Sequence, residues 1–235
     1  MGFTLDQREA ALNFINSRYA TQQGARSISL DLVGPRTGRR RGRVGGILGL
    51  DAPRASRFEI VSNAIKTPEG VQSLVVKHLD GSLGVKYKVN EATAKRIIKA
   101  HNNGTALSAE DIAISERQYK DALLKDRADT IVITETADAV QAGINEEWQQ
   151  ALRTLGASPE NVIKTWRHAR GATEFHRPEH LAMSGVSVRG LNTPFIFSDG
   201  VQKQFPHDAG GGARHNIRCA CMCEYRIEEN RNVNA

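Results

Sequence analysis

All three cysteines of this chain lie within five residues, Cys219, Cys221 and Cys223, and five of its seven histidines fall in the same last third: His168, His176, His180, His207 and His215. This concentration constrains the fold more than any other feature. Three thiols so close together cannot form a disulfide framework, because residues two apart on a strand are poorly placed to bridge each other. The spacing fits a reduced protein whose thiols are buried, catalytic or metal-binding. Everything from Trp166 to Cys223 is therefore read as one module, and the rest of the chain as what presents it.

The rest is globular sequence. Hydrophobic residues make up 40% and charged residues 25%, which excludes a disordered chain, and 235 residues suffice for one large or two small cores. No apolar run approaches the roughly 18 residues of a membrane span. The opening residues MGFTLDQREAALNF lack the basic-then-apolar order of a secretory signal. The net charge of +6 has a single source. Residues 34–57 carry seven arginines and one acid, and the remainder is neutral. Within this stretch, GPRTGRRRGRVGG is too rich in Gly and Arg to pack and reads as a loop or arm. Arg36, Arg39, Arg40, Arg41 and Arg43 are its candidate nucleic-acid contacts, since guanidinium groups meet phosphates in bidentate geometry. A solvated linker is the alternative.

In chain order, Thr4 and Gln7 read as a capping box ahead of a helix from Leu5 to Tyr19. Residues 27–33 (SISLDLV) alternate with period two and predict a short strand ended by Gly34-Pro35. Residues 57–64 read as helix. Thr67-Pro68-Glu69 starts another, while Asp80-Gly81 suits a hairpin. Asn90 caps a helix to His101, with Ala94, Ile97 and Ile98 inward and Gly104 closing it. Ser108 opens a helical stretch that can continue to Leu155, with Ile131, Val132, Ala139, Ile144 and Trp148 as core candidates and Gly156 as its end. Beyond Pro159 the pattern changes. NVIKTW reads as a strand, EFHRPEHLAMSG as a short helix or turn with Pro178 inside it, PFIF and VQKQF as strands flanking Asp199-Gly200, and 218–227 as a closing strand. Residues 208–213 (DAGGGA) read as a flexible connector. The fold class is α+β: a mainly helical N-terminal two-thirds followed by a small α+β module. The expected divisions are an N-terminal helix, strand and arm (1–48), a helical region (49–156), the module (157–227) and a mobile tail (228–235).

Three chemistries are on offer in the last third. His176 and His180 are four apart, and one helical turn would place them on one face. With Cys219 and Cys221 they could close a Cys₂His₂ zinc site, against the plainer reading of buried thiols and hydrogen-bonded imidazoles. Cys219 or Cys221 beside His180 or His215 is the minimum for thiol catalysis. His176, His180 and Arg177 could serve a general acid–base nuclease. Glu135 could pair with an arginine such as Arg177.

Three motifs carry a family resemblance. The helix RADTIVITETADAVQAGINEEW (127–148) is similar to an RA-x-x-IARTET…N-x-G pattern through Arg127, Ala128, Ile131, Thr134, Glu135, Thr136 and Gly143. Trp166 followed by Arg177-x-x-His180-x-x-Met183-x-Gly185 is similar to W…R-x-x-H-x-x-[LM]-x-G. Phe195, Pro206 and Arg218-Cys219-Ala220-Cys221 are similar to an F…P…N-C-R-C ending. In order and spacing the chain, over roughly 49–225, resembles the phage head morphogenesis proteins, the Mu F-like minor capsid family.

The resemblance implies a structural virion protein rather than an enzyme. It would sit inside the capsid near the portal after assembly in the host cytoplasm. Its partners would be the portal protein, the major capsid or scaffold protein and the packaged DNA, with no membrane. Arg127, Glu135, Trp166, Arg177, His180, Gly185, Cys219 and Cys221 then form a structural constellation. No cofactor is required, a structural zinc being the one left open. The alternative class is a His/Cys-dependent nuclease or toxin-like enzyme.

Overall fold

A computed structural model describes residues 5–35, 43, 46–169 and 176–228. Thr4, Arg36, Arg39, Arg40, Arg41 and the tail from 229 lie outside the described residues. The chain divides into two compact units, Met1–Asp129 and Thr130–Ala235, and the division falls inside one long helix.

The first unit is helical. α1 spans Leu5–Ala20 and α2 spans Ala25–Leu32. The expected strand at 27–33 is thus a helix. Ile28 and Leu32 alternate with polar neighbours, but they are also four apart, and both are fully buried on one helical face beside Ser29. Gly34 ends the segment at φ 80°. α3, Ala52–Ala64, starts earlier than expected because the Asp51 side chain accepts the Arg54 N–H. α4, Pro68–Leu74, is capped by Thr67 as its sequence suggests. Both readings of 73–88 hold in part: α4 passes into a hairpin of β1 (Val75–Lys77) and β2 (Leu83–Val85), turned where Asp80 accepts from the Ser82 N–H.

α5, Glu91–Asn103, begins at the Asn90 cap and stops at Gly104, φ 65°. Its buried stripe is Thr93, Ile97 and Ala100; Ala94 and Ile98 are only half-buried, which corrects the expected inward face. α6 runs unbroken from Ala109 to Leu155. The core of this unit joins Val61, Ile65, Val71, Leu74, Ile97, Tyr119 and Leu123. Arg54 bridges Asp51 and Asp126, at 2.6 Å from each, and the Arg127 guanidinium donates to the Gly49 carbonyl at 2.6 Å. A hydrogen bond from the Ser62 hydroxyl on α3 to the Glu116 carboxylate on α6 also closes this unit.

The second unit holds the remaining strands. After α6, Gly156 (φ 61°) and a short 3₁₀ turn lead into β3, Val162–His168. β3 is the centre of an antiparallel sheet in the order β4–β3–β7, with β4 at Ser187–Arg189 and β7 at Cys221–Ile227. α7, Pro178–Met183, lies between β3 and β4. A second hairpin pairs β5 (Phe195–Ile196) with β6 (Gln202–Lys203) around Asp199-Gly200, as its sequence suggests. Residues 208–213 are not a flexible connector. Asp208 caps a 3₁₀ turn at Ala209–Gly211, α8 follows at Gly212–Asn216, and the Asn216 amide donates back to the carbonyls of His207 and Asp208. Of the core candidates in this part of α6, Ile131, Ile144 and Trp148 are half-buried, Val132 is buried and Ala139 is exposed. Helices to Leu155 followed by a small module of short strands and helices make the chain α+β. No helix among the described residues is long and apolar enough to cross a membrane.

Candidate functional site

The site grows from the parity of β3. Val162, Lys164, Trp166 and His168 share one face of the strand. The β3–β7 register sets Trp166 opposite Cys223 and His168 opposite Cys221, so both thiols join that face. Trp166 is fully buried and meets Phe195 and Phe197 edge-on, with ring centroids 5.3 and 5.1 Å away.

α7 brings the histidine. Pro178 does not interrupt this helix, as its sequence suggests, but occupies its first turn, where a missing N–H costs nothing. His180 and Met183 then fall on the buried side. Gly185, at φ 91°, turns the chain sharply enough for its N–H to reach the Trp166 carbonyl at 2.8 Å, and the Trp166 N–H donates to the Val186 carbonyl at 2.9 Å. α7 is thereby laced to β3, with the His180 ring 5.9 Å from Trp166.

The Cys-x-Cys segment is placed from the other side. Arg218 adopts φ 52°, and its backbone N–H and Nε donate to the hydroxyls of Thr134 and Thr130 on α6. Cys219 therefore sits in a turn just before β7 rather than on the strand. His180 Nδ1 lies 3.5 Å from the sulfur of Cys219 and 3.5 Å from that of Cys221. The Cys221 N–H points at the Cys219 sulfur. On its far side, His180 Nε2 is 3.0 Å from His215 Nδ1, and His215 Nε2 is 2.9 Å from an Asp199 carboxylate oxygen. His207 Nε2 is 2.8 Å from the Cys219 carbonyl, and its Nδ1 is buried with no hydrogen-bond partner.

Electrostatics follow the burial. Cys219 is held well below the usual thiol range by the hydrogen bond from Cys221 and by the His180 and His207 rings, against the opposing effect of burial. Cys221 is pushed up by the same Cys219 partner and by burial. Burial raises Cys223 to about 11. Two lysines line the module from within. Lys164 donates to the Gln204 carbonyl at 2.8 Å and is lowered to about 8 by burial. Lys203 donates to Asn216 Oδ1 at 2.6 Å, lies over the Trp166 ring, and is also lowered by burial.

Of the sequence candidates, Trp166, His180, Gly185, Cys219 and Cys221 come together here. His176 does not join them. It precedes α7, so the four-residue helical spacing to His180 never forms, and its ring faces His168 instead, with nitrogens 3.4 Å apart. The Cys₂His₂ set with His176 is thus corrected to a set of three, His180, Cys219 and Cys221, whose ligand atoms all lie within 4.8 Å of one another. The nuclease trio is split as well. His176 and Arg177 line an open cleft of about 660 Å³ with Arg214, Ile217 and Arg218, whereas His180 is buried away from it. Arg177 donates to the Ile217 carbonyl at 2.6 Å, and Glu135 is half-buried on α6. Arg127 is buried in the first unit. Arg43 folds back to donate to the Gly34 carbonyl at 2.6 Å.

Sequence reasoning missed Asp199 as the partner of His215, and missed the buried lysines. Lys164 had a signal, because it shares strand parity with Val162 and Trp166. The Asp199–His215 pairing had none, since it depends on how the β5–β6 hairpin meets α8.

No family model, curated protein or solved structure matches the chain.

Proposed function

We propose that this chain is a structural minor head protein of a tailed bacteriophage, lodged inside the capsid near the portal and aiding head assembly and DNA packaging or ejection. The observation that carries this reading is where its motif residues go. Trp166, His180, Cys219 and Cys221 are all buried and hydrogen-bonded or packed into one another, with none of them lining the cleft at His176 and Arg177. The first motif joins the third directly, through the bond from the Arg218 N–H to the Thr134 hydroxyl. An enzyme needs its nucleophile and base within reach of substrate. A cluster sealed on all sides instead maintains a shape, and a shape is what an assembly component presents to its neighbours.

Portal, major capsid or scaffold protein, and packaged DNA are the partners in this account. The arginines at 36, 39, 40 and 41 supply the DNA contact as salt-sensitive phosphate contacts that carry no sequence preference. Co-expression with the portal protein of the same genome tests the proposal. A complex that survives gel filtration is the expected result. A chain that stays monomeric beside an assembled portal, and turns over a nucleic-acid or peptide substrate with loss on His180→Ala, would replace this reading with the enzymatic one.

A further inference from the structure

We propose that His180, Cys219 and Cys221 hold a zinc ion, with His180 bound through Nδ1. The inference is independent of the head-protein reading and rests on the geometry of these three residues and of the rings beside them.

Distance comes first. Zinc takes sulfur at about 2.3 Å and imidazole nitrogen at about 2.0–2.1 Å in tetrahedral geometry, which sets ligand nitrogen and sulfur about 3.5 Å apart. His180 Nδ1 is 3.5 Å from each of the two sulfurs. A hydrogen-bond account uses this arrangement poorly, because the single lone pair of an unprotonated ring nitrogen is satisfied by one thiol. An ion uses both sulfurs equally.

The tautomer chain agrees. A nitrogen that ligates must be unprotonated, so the His180 proton belongs on Nε2, where it donates to His215 Nδ1 at 3.0 Å. His215 then carries its own proton on Nε2, and that proton points at the Asp199 carboxylate 2.9 Å away. Every proton in the chain has an acceptor, and the free lone pair of His180 is left facing the sulfurs. An imidazole whose second nitrogen is oriented through a carboxylate is the usual outer shell of a metal-bound histidine. The Cys221 N–H directed at the Cys219 sulfur stabilises a thiolate there in the same way.

A tetrahedral ion needs a fourth donor. His207 is the candidate: it is 1% exposed, its Nε2 serves the Cys219 carbonyl and its Nδ1 has no hydrogen-bond partner, and its ring would have to close on the three ligands that already lie within 4.8 Å of one another. Two thiolates and neutral imidazoles are the borderline-soft set that favours zinc over magnesium or calcium. Such an ion would tie α7 to the turn before β7 and so close a module that has only short strands and helices to hold it.

The test uses the full chain purified under reducing conditions with zinc supplied. Elemental analysis should find about one zinc per chain. Exchange with Co(II) should give thiolate-to-cobalt charge transfer in the near ultraviolet together with the intense visible bands of a tetrahedral site. Cys223→Ser should keep both signals, because Cys223 is outside the ligand set. Cys219→Ser and Cys221→Ser should each lose the charge transfer in part or whole. Should those variants fail to fold, the wild-type and Cys223→Ser spectra still decide the matter. A folded wild-type chain that carries no zinc and shows no charge transfer with Co(II) overturns the proposal, as does a folded Cys223→Ser chain that has lost it.

Discussion

Lys164 offers a direct reading of how the second unit is held together. Its side chain is fully buried on the Trp166 face of β3, with Nζ 2.8 Å from the Gln204 carbonyl, 3.3 Å from the Gln204 Oε1, and over the Phe195 ring. Burial lowers it from the usual 10.5 to about 8, with Cys223 and Asp208 acting the other way. Between those two values the unfolded chain holds a proton that the folded chain has released, so stability must rise with pH across this window. The penalty is complete below about pH 8 and gone above 10.5. The full shift corresponds to about 3 kcal/mol, of which about 1 kcal/mol is recovered between pH 7 and pH 9.

Lys164→Met removes the titration while keeping much of the shape. Cys223 is pushed up to about 11 and opposes the gain at higher pH, but it is present in both chains, and stopping at pH 9 keeps its contribution small. Urea unfolding of both chains at the two pH values, with unchanged slopes, gives the comparison. Wild type should gain about 1 kcal/mol on the variant as pH rises from 7 to 9. A gap between the two chains that is the same at both pH values would refute the reasoning, and would mean that Lys164 is solvated or paired with an anion.

The other predictions concern single packing or capping features. Trp166→Ala removes the ring that Phe195, Phe197 and His180 surround, and should cost roughly 3–5 kcal/mol by urea denaturation. Gly211→Ala places a methyl group 2.8 Å from the Lys203 Nζ and 3.0 Å from Asn216 Oδ1. The buried lysine cannot swing away, so the Lys203–Asn216 bond should break at a cost of about 1–3 kcal/mol in the melting curve. Asp51→Ala removes the α3 cap and one of the two carboxylates that accept from the Arg54 guanidinium, and should cost about 1 kcal/mol, read as earlier exchange of the first amides of α3.

Much of the first unit was legible because its helices announce their ends. Thr67-Pro68, Asn90 and Gly104 each satisfy or release specific backbone groups, and α4 and α5 begin or end at them. α2 was not legible as a helix, because Ile28, Leu30 and Leu32 satisfy period two and, through Ile28 and Leu32, also a helical repeat; only the tertiary core selects between them. β4 is three residues long and escaped notice for that reason. In the site, the grouping of Cys219 and Cys221 with His180 was visible from residue type, but the exclusion of His176 was not. It turns on Pro178 starting α7 instead of lying inside it, and a sequence shows the proline without showing which turn it occupies. The glycines at 210–212 read as slack, yet Asp208 and Asn216 fix them through bonds that no local pattern announces.

Where the protein ends up decides whether it is a head component, and quantitative mass spectrometry of purified virions measures that directly. A structural head component should be present at a fixed low ratio to the portal protein from one preparation to the next. Its absence from purified particles, with the chain abundant in infected cells, would contradict the account and move the protein to a role outside the mature head.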